Sequence, residues 1–355
     1  MSHDIEKILN GYAKGERLDD DDALSLLKSS DLLALGQAAH QKRMAIKPEP
    51  VVTYIIDRNI NYSNLCVTRC RFCAFYKAAG DEEGYTLGGG EIAQKIEETI
   101  KLGGRQILLQ GGHHPSHTIE WYEHMIGQIK SRFDIHVHGF SPPEIIHISG
   151  LSKITVAETI GRLKKAGLNS IPGGGAEILS DRVRSLIAPQ KCSASAWIDV
   201  MRTAHQQGMR TTATMMFGHE ETLAERVESL KRIRNLQDET DGFTAFIPWP
   251  FQPENTKMDY VSPAGGFEYL KTLAVSRLYL DNIDNIQASW VTQGPKVAQM
   301  ALFFGANDMG STMIEENVVQ AAGVSFRMSE KDIRKAIEET GMTPQRRNMI
   351  YEPVG

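Results

Sequence analysis

From residue 51 onward the chain repeats one unit: a short apolar run, a glycine-rich turn, then a stretch with apolar residues at helical spacing. The apolar runs fall at 59–66, 105–111, 134–140, 168–173, 210–217, 242–249, 285–291 and 304–309. Strand candidates that alternate with helical patterns read as a parallel sheet. Roughly eight such units suit a closed α/β architecture, a TIM-type (β/α)8 barrel, better than an open sheet; an open, partial barrel is the alternative. The helix expectations have local support. GEIAQKIEETIKLGG presents Ile92, Ile96 and Ile100 on one face and stops at glycines, and SASAWIDVMRTAHQQG does likewise behind an amino-terminal serine.

The barrel unit spans 51–324 on this reading. Before it, residues 1–50 place Ile5, Ile8, Leu9, Leu24, Leu27, Leu32 and Leu35 at helical spacing and contain no strand-like run, which predicts a helical extension. The run Asp19 to Asp22 reads as a solvated helix start, favoured by the positive end of the helix dipole. Behind the barrel, 325–355 gives one more capped helix, MSEKDIRKAIEETG, and a tail, PQRRNMIYEPVG, expected to lie irregularly over the surface.

The 355 residues, 41% hydrophobic and 23% charged, are ordinary for a globular protein with a sizeable core. With 39 Lys and Arg against 44 Asp and Glu, no cationic excess is available to displace counterions from a phosphate backbone, so nucleic acid is a poor partner. The amino terminus is polar and acidic where a secretory signal needs a basic start and an apolar stretch, and no run reaches the length of a membrane span. A cytoplasmic protein without a membrane partner is expected.

Of four cysteines, Cys66, Cys70 and Cys73 fall within eight residues, while Cys192 stands alone. A disulfide framework scatters paired cysteines through a small secreted chain; this clustering points instead to metal ligation in a reducing compartment. The spacing C-x3-C-x2-C directly follows the first predicted strand. Three thiolates on one tight loop each ligate one iron of a cubane cluster and leave the fourth iron open to a small molecule. The alternative is a zinc site completed by His113 or His114. Other candidates sit at predicted strand ends, the catalytic face of a barrel. Gln110, Gly111 and Gly112 let backbone approach a ligand closely. Glu177 offers an acceptor behind three glycines, and Ser141 either donates a hydrogen bond or caps a helix.

C-x3-C-x-aromatic-C after the first barrel strand is the signature of the radical S-adenosylmethionine (SAM) superfamily, which the chain therefore resembles. The resemblance implies a [4Fe-4S] cluster on the three cysteines and SAM on its open iron. It also implies Phe72 beside the adenine, Gln110, Gly111 and Gly112 at the methionyl amine, and Glu177 in contact with SAM. Reductive cleavage of SAM then yields a 5′-deoxyadenosyl radical, the chemistry residing in the cofactors and the positioning in the protein. The segments Gln110-Gly-Gly-His-His-Pro115, Phe140-Ser-Pro-Pro-Glu144, Gly173-Gly-Gly-Ala-Glu177, Phe246-Ile-Pro-Trp-Pro-Phe251, Gln287-Ala-Ser-Trp290 and Gly305-Ala-Asn-Asp308 resemble those of the cyclic dehypoxanthine futalosine synthases of menaquinone biosynthesis. Aminofutalosine synthases and the enzymes that build the deazaflavin chromophore share several of them.

That resemblance covers about residues 50 to 350. It implies dehypoxanthine futalosine as substrate, abstraction of the ribose C4′ hydrogen, ring closure onto a benzoate, and an electron donor such as flavodoxin or ferredoxin. For the proton lost on the way, His113 and Asp308 are the candidate bases. Trp249, Ser289 and Asn307 are the candidate substrate contacts. The oligomeric state stays open, a homodimer included.

Overall fold

The structure, a computed structural model, describes residues 2–354. Three helices come first: α1 (Ser2–Ala13), α2 (Asp20–Lys28) and α3 (Leu32–Ile46). The aspartate run does start a helix. Asp19 caps α2, accepting from the Asp22 backbone at 2.8 Å, and Asp20 to Asp22 fill its first turn, where carboxylates favour the dipole.

Two strands open the barrel, β1 (Val51–Ile55) and β2 (Asn59–Asn61). β2 pairs in parallel with β3 (Gln106–Gln110), and the sheet continues through β4 (His136–Gly139), β5 (Ser170–Ile171), β6 (Arg210–Phe217) and β7 (Phe243–Pro250). β7 bridges from Phe246 to Ile286, and Gln287 bridges in turn to Asp308 at the start of β8 (Asp308–Ser311). β8 pairs back onto β1, with Thr53 facing Asp308. The ring closes as a (β/α)8 barrel whose first position is shared by β1 and β2.

Helices α4 (Gly89–Lys101), α5 (Ile119–Arg132), α6 (Pro142–Ser152), α7 (Val156–Ala166), α8 (Asp181–Ile187), α9 (Ala194–Gln206), α10 (Leu223–Thr240), α11 (Gly266–Tyr279) and α12 (Trp290–Ala301) follow the strands. α4 buries Ile92 and Ile96 as its periodicity predicts, whereas Ile100 is left exposed in its last turn. α2 and α3 pack on α10 and α11. A side chain at Gly36 of α3 would come within 2.6 Å of the Phe304 ring, so glycine permits that close approach. The chain ends with α13 (Val318–Ala321), α14 (Glu330–Glu338) and a last strand, β9 (Thr343–Arg346).

Three expectations are corrected. The first strand begins at Val51, not 59, and stops at Asn61; the buried polar pair Asp57 and Arg58 interrupts the apolar pattern between β1 and β2. Residues 285–291 hold isolated bridges rather than a strand, and β8 starts at Asp308. Asn307 and Asp308 therefore lie at the amino end of their strand, opposite the expected catalytic face. Finally, the tail is not irregular. β9 adds to β1 in parallel, Val51 facing Thr343 and Tyr54 facing Arg346. Pro344 and the charges around it read as non-strand, yet a proline is tolerated on a sheet edge.

Behind β9, Arg347 turns into the barrel floor and meets Asp308 through Nε to Oδ2 at 2.5 Å and Nη2 to Oδ1 at 3.0 Å. Thr53 donates to the same carboxylate at 2.6 Å and the Gly310 amide at 2.8 Å. Both partners are buried, so removing one leaves an uncompensated charge. Arg347→Ala is expected to cost about 3–5 kcal/mol, read by chemical denaturation, whereas the double change Arg347→Met with Asp308→Leu recovers most of that loss.

Candidate active site

The loop after β2 is held from several sides. The Cys66 amide donates to Lys77 at 3.0 Å, Val67 to His113 at 3.0 Å, Arg71 to Ile187 at 2.8 Å and Cys73 to Cys70 at 3.2 Å. Asn64 ties the far end of the loop, accepting from the Tyr85 amide at 2.8 Å. Arg69, with φ of 50°, takes the left-handed turn inside the C-x3-C stretch. Cys70 is buried while Cys66 and Cys73 are half-buried. Burial pushes the Cys70 thiol up to about 12, Lys191 opposing and Glu177 and the other two cysteines adding to the rise.

The turn after β3 lies against this loop. A Cβ at Gly112 would stand 2.3 Å from the Leu65 carbonyl oxygen and 2.9 Å from the Cys66 Cβ, and one at Gly111 would enter the Tyr62 ring. The glycines thus let two loops of the chain meet. Their amides are used internally, Gly111 donating to Glu144 at 3.0 Å and Gly112 to the Ser63 carbonyl at 2.8 Å. Glu144 is a buried hub that sequence reasoning did not single out. It also accepts from Tyr62 at 2.8 Å and from the Ser141 amide and hydroxyl at 2.8 and 2.6 Å. Ser141 is accordingly the cap of α6, its hydroxyl committed to Glu144.

Glu177 sits behind β5 with a positive φ of 41°, an uncommon conformation for a residue with a side chain. Its Oε1 accepts from Lys191 Nζ at 2.8 Å, and Lys191 lies 5.0 Å from the Phe72 ring centre. The fold therefore brings Phe72, Cys70, Glu177 and Lys191 together. Nothing in the sequence spacing pointed to Lys191. The other Glu177 oxygen, Oε2, is buried without a hydrogen-bond partner, and Arg184 Nη1 stands 3.8 Å from it. A buried acceptor left open is costly unless a ligand supplies a donor.

Inside the barrel lies a cavity of about 290 Å³. Gln110, Trp249 and Ser289 line it toward the strand ends, and Asp57, His138 and Arg347 line it deeper. His113 stands elsewhere. Its Nδ1 is 2.6 Å from the Thr68 hydroxyl, it stacks on His147, and burial lowers its imidazole to about 3. Asn307 is satisfied by Arg277 at 2.7 Å, the Ile286 amide at 2.9 Å and Asn285 at 2.9 Å. Neither Asn307 nor Asp308 is on the cavity wall. Their geometry makes them supports of the barrel floor.

These features define an enzyme built around a cysteine loop at the mouth of a barrel, and the chain belongs to the radical SAM superfamily. The superfamily model matches residues 60–233, and a model described as the CofH/MqnC C-terminal region matches residues 240–354. The chain is 47% identical, over 98% of its length and 94% of the relative's, to a cyclic dehypoxanthine futalosine synthase of Halalkalibacterium halodurans. It is 44% identical to one of Streptomyces coelicolor, over 98% of this chain and 88% of that one. A 5-amino-6-(D-ribitylamino)uracil–L-tyrosine 4-hydroxyphenyl transferase of Methanopyrus kandleri is 39% identical over 99% of this chain and 97% of its own. Among solved structures, the [FeFe]-hydrogenase maturase HydG shares the fold with a TM-score of 0.77 at 17% identity, covering 99% of this chain and 77% of that one. Methylornithine synthase does so at 0.73 and 20%, covering 96% and 97%.

The family implies a [4Fe-4S] cluster and SAM, and the residues present fit both. A cubane spreads its thiolates over different irons, as three cysteines on one loop allow. The match to the radical SAM superfamily favours a cluster over the zinc alternative on these cysteines. The open Glu177 oxygen and the neighbouring Lys191 suit a ligand that carries hydroxyl, ammonium and carboxylate groups. No helix of the described residues is long and apolar enough to cross a membrane.

Anaerobic reconstitution of Cys70→Ala is expected to leave the iron-sulfur absorbance absent. Gly112→Ala should lower iron per chain sharply while the thermal melt stays near that of the parent, since the clash is confined to two loops. Full iron loading in Gly112→Ala would remove the packing role given to that glycine.

Proposed function

We propose that the protein cyclises dehypoxanthine futalosine in the futalosine route to menaquinone. The observation that carries this reading is similarity along nearly the whole chain, at 47% and 44% identity, to two proteins named for that reaction. The division of labour in the fold supports it. The superfamily region supplies the cysteine loop, Gln110, His138 and Glu177, and the C-terminal region supplies Trp249, Ser289, Trp290 and Arg347 to the cavity wall.

On this reading Cys66, Cys70 and Cys73 hold a [4Fe-4S] cluster, with SAM lying between the Gln110–Gly112 turn, Phe72 and Glu177. Cluster and SAM together supply the 5′-deoxyadenosyl radical. Glu177 accepts from the ribose hydroxyls or the ammonium through the oxygen that the chain leaves open, while Lys191 neutralises it on the other side. Phe72 offers its ring face to the adenine. In the cavity Trp249 and Trp290 present flat apolar walls to the benzoate, and Ser289 offers its hydroxyl to the sugar. The substrate loses its C4′ hydrogen, and the resulting carbon radical adds to the aromatic ring. Enclosure by the barrel keeps water from that radical. An electron donor of the flavodoxin or ferredoxin kind, and a homodimer, belong to the same proposal.

The relatives named as 4-hydroxyphenyl transferases, 39% identical in the Methanopyrus kandleri case, favour a second reading in which a tyrosine-derived group is transferred. The discriminating assay is anaerobic turnover with SAM and dithionite on either substrate set. With deuterium at ribose C4′ of dehypoxanthine futalosine, label is expected in 5′-deoxyadenosine. A product that keeps the adenosyl group, or turnover only with tyrosine and the ribitylaminouracil, sinks the cyclase reading.

A further inference from the structure

We propose that His138, Ser170 and His136 form a proton relay from the interior cavity to the barrel floor, with His138 as the base that deprotonates the cyclised substrate. The inference rests on the cyclase reading above and names the residue that completes it. His136 and His138 are alternate residues of β4 and so point to the same side of the sheet. β5 sets Ser170 directly opposite His138. The Ser170 hydroxyl is 2.7 Å from His138 Nδ1 and 2.7 Å from His136 Nε2, so one oxygen joins the two rings.

The two ends of this chain open into different spaces. His138 lines the interior cavity, and its Nε2 has no hydrogen-bond partner among the described residues. His136 lines a separate cleft of about 410 Å³ beneath the C-terminal tail, alongside Gly103, Arg105 and Ile350. Those three residues are exposed, so the cleft reaches solvent. The cavity and the cleft share Ile55, Gln106, Arg347 and Met349 in their walls. The histidine–serine row spans that partition, with a ring nitrogen at each end.

Other titratable groups on the cavity wall are already engaged. Asp57 accepts from Gln106 at 2.6 Å and from the Ser311 hydroxyl. Glu316 accepts from Asn59 at 3.0 Å and from the Val318 and Val319 amides at 2.8 and 2.9 Å. Burial, reinforced by His136 and Arg347, drives the His138 imidazole well below its ordinary value; burial and Lys130 bring His136 down to about 4. Both rings are therefore neutral near pH 7, each with one proton and one lone pair, as a relay requires.

A ring C–H of the cyclised radical breaks, its proton goes to His138 Nε2, and both bonding electrons stay in the ring. The one electron in excess of the aromatic sextet leaves to a one-electron acceptor, a role that an oxidised iron-sulfur cluster held by Cys66, Cys70 and Cys73 would fill. The proton on His138 Nδ1 passes to the Ser170 oxygen, the Ser170 proton to His136 Nε2, and the proton on His136 Nδ1 to water in the outer cleft. The substrate is deprotonated while bulk water stays out of the cavity.

The test runs parent protein and His138→Gln, Ser170→Ala, Ser170→Thr and His136→Phe in the anaerobic cyclase assay. It scores cyclised product against 5′-deoxyadenosine and is repeated in D2O. Cyclised product is expected to fall about 100-fold in His138→Gln. Ser170→Ala and His136→Phe should fall at least about tenfold, with more 5′-deoxyadenosine per product and a changed solvent isotope effect. Ser170→Thr, which keeps the hydroxyl, restores the parent ratio. In parallel, imidazole NMR of isotope-labelled protein should show both rings neutral at pH 7, with tautomers that change together in Ser170→Ala. Unchanged product ratios in Ser170→Ala and His136→Phe overturn the relay, as do imidazole spectra indifferent to the loss of the hydroxyl. If the parent protein gives no cyclised product, the cyclase reading falls, and the spectra alone then decide whether the two rings are coupled.

Discussion

The buried pair of Arg347 and Asp308 ties the last strand of the chain to the seam where the barrel closes. Asp308 begins β8 and faces Thr53 of β1, so its carboxylate sits where the first and last strands meet. Arg347 arrives from the tail and completes that carboxylate's hydrogen bonds in the dry floor. A pair buried this deeply is stable only if both partners stay; its geometric demand fixes where the tail must run. Because the tail runs there, Met349 and Tyr351 join Arg347 in lining the cavity.

At the other end the organising device is close backbone approach. Gly111 and Gly112 bring the turn after β3 within contact of the cysteine loop, and Glu144 gathers Tyr62, Gly111 and Ser141 around one carboxylate. The cysteine loop is thus gripped by three successive units of the barrel. Glu177 and Lys191 reach the same place from the fourth unit onward. They leave one oxygen of the Glu177 carboxylate buried without a hydrogen-bond partner.

Much of this was legible in the chain itself. The alternation of apolar runs and helical patterns follows from the two periodicities of regular structure, and it yielded the barrel and most of its strands. The cysteine spacing and the close-approach glycines were readable from residue type and separation, whereas the roles expected of Phe72, Gln110 and Glu177 toward SAM rest on the family resemblance. β1 and β9 were not readable, because Asp57, Arg58 and Pro344 break the apolar pattern while tertiary partners satisfy them. Lys191 and His138 carry no motif. Lys191 is close to Glu177 only through the path of the loop after α8, and His138 faces the cavity only because β4 occupies the third position of the ring.

What the sequence determined by itself was the class of chemistry: three cysteines at a spacing that leaves an iron open, on a chain whose periodicity closes a barrel. What only the tertiary structure decided was which polar groups face the interior cavity. Asp308 looked like a base because a carboxylate stood in a suggestive segment, yet folding spent it on Arg347, and His113 lies off the interior cavity beside Thr68 and His147. The physical reason is that a polar group's availability depends on whether the fold has already satisfied its hydrogen bonds, and those partners come from residues far apart in the chain.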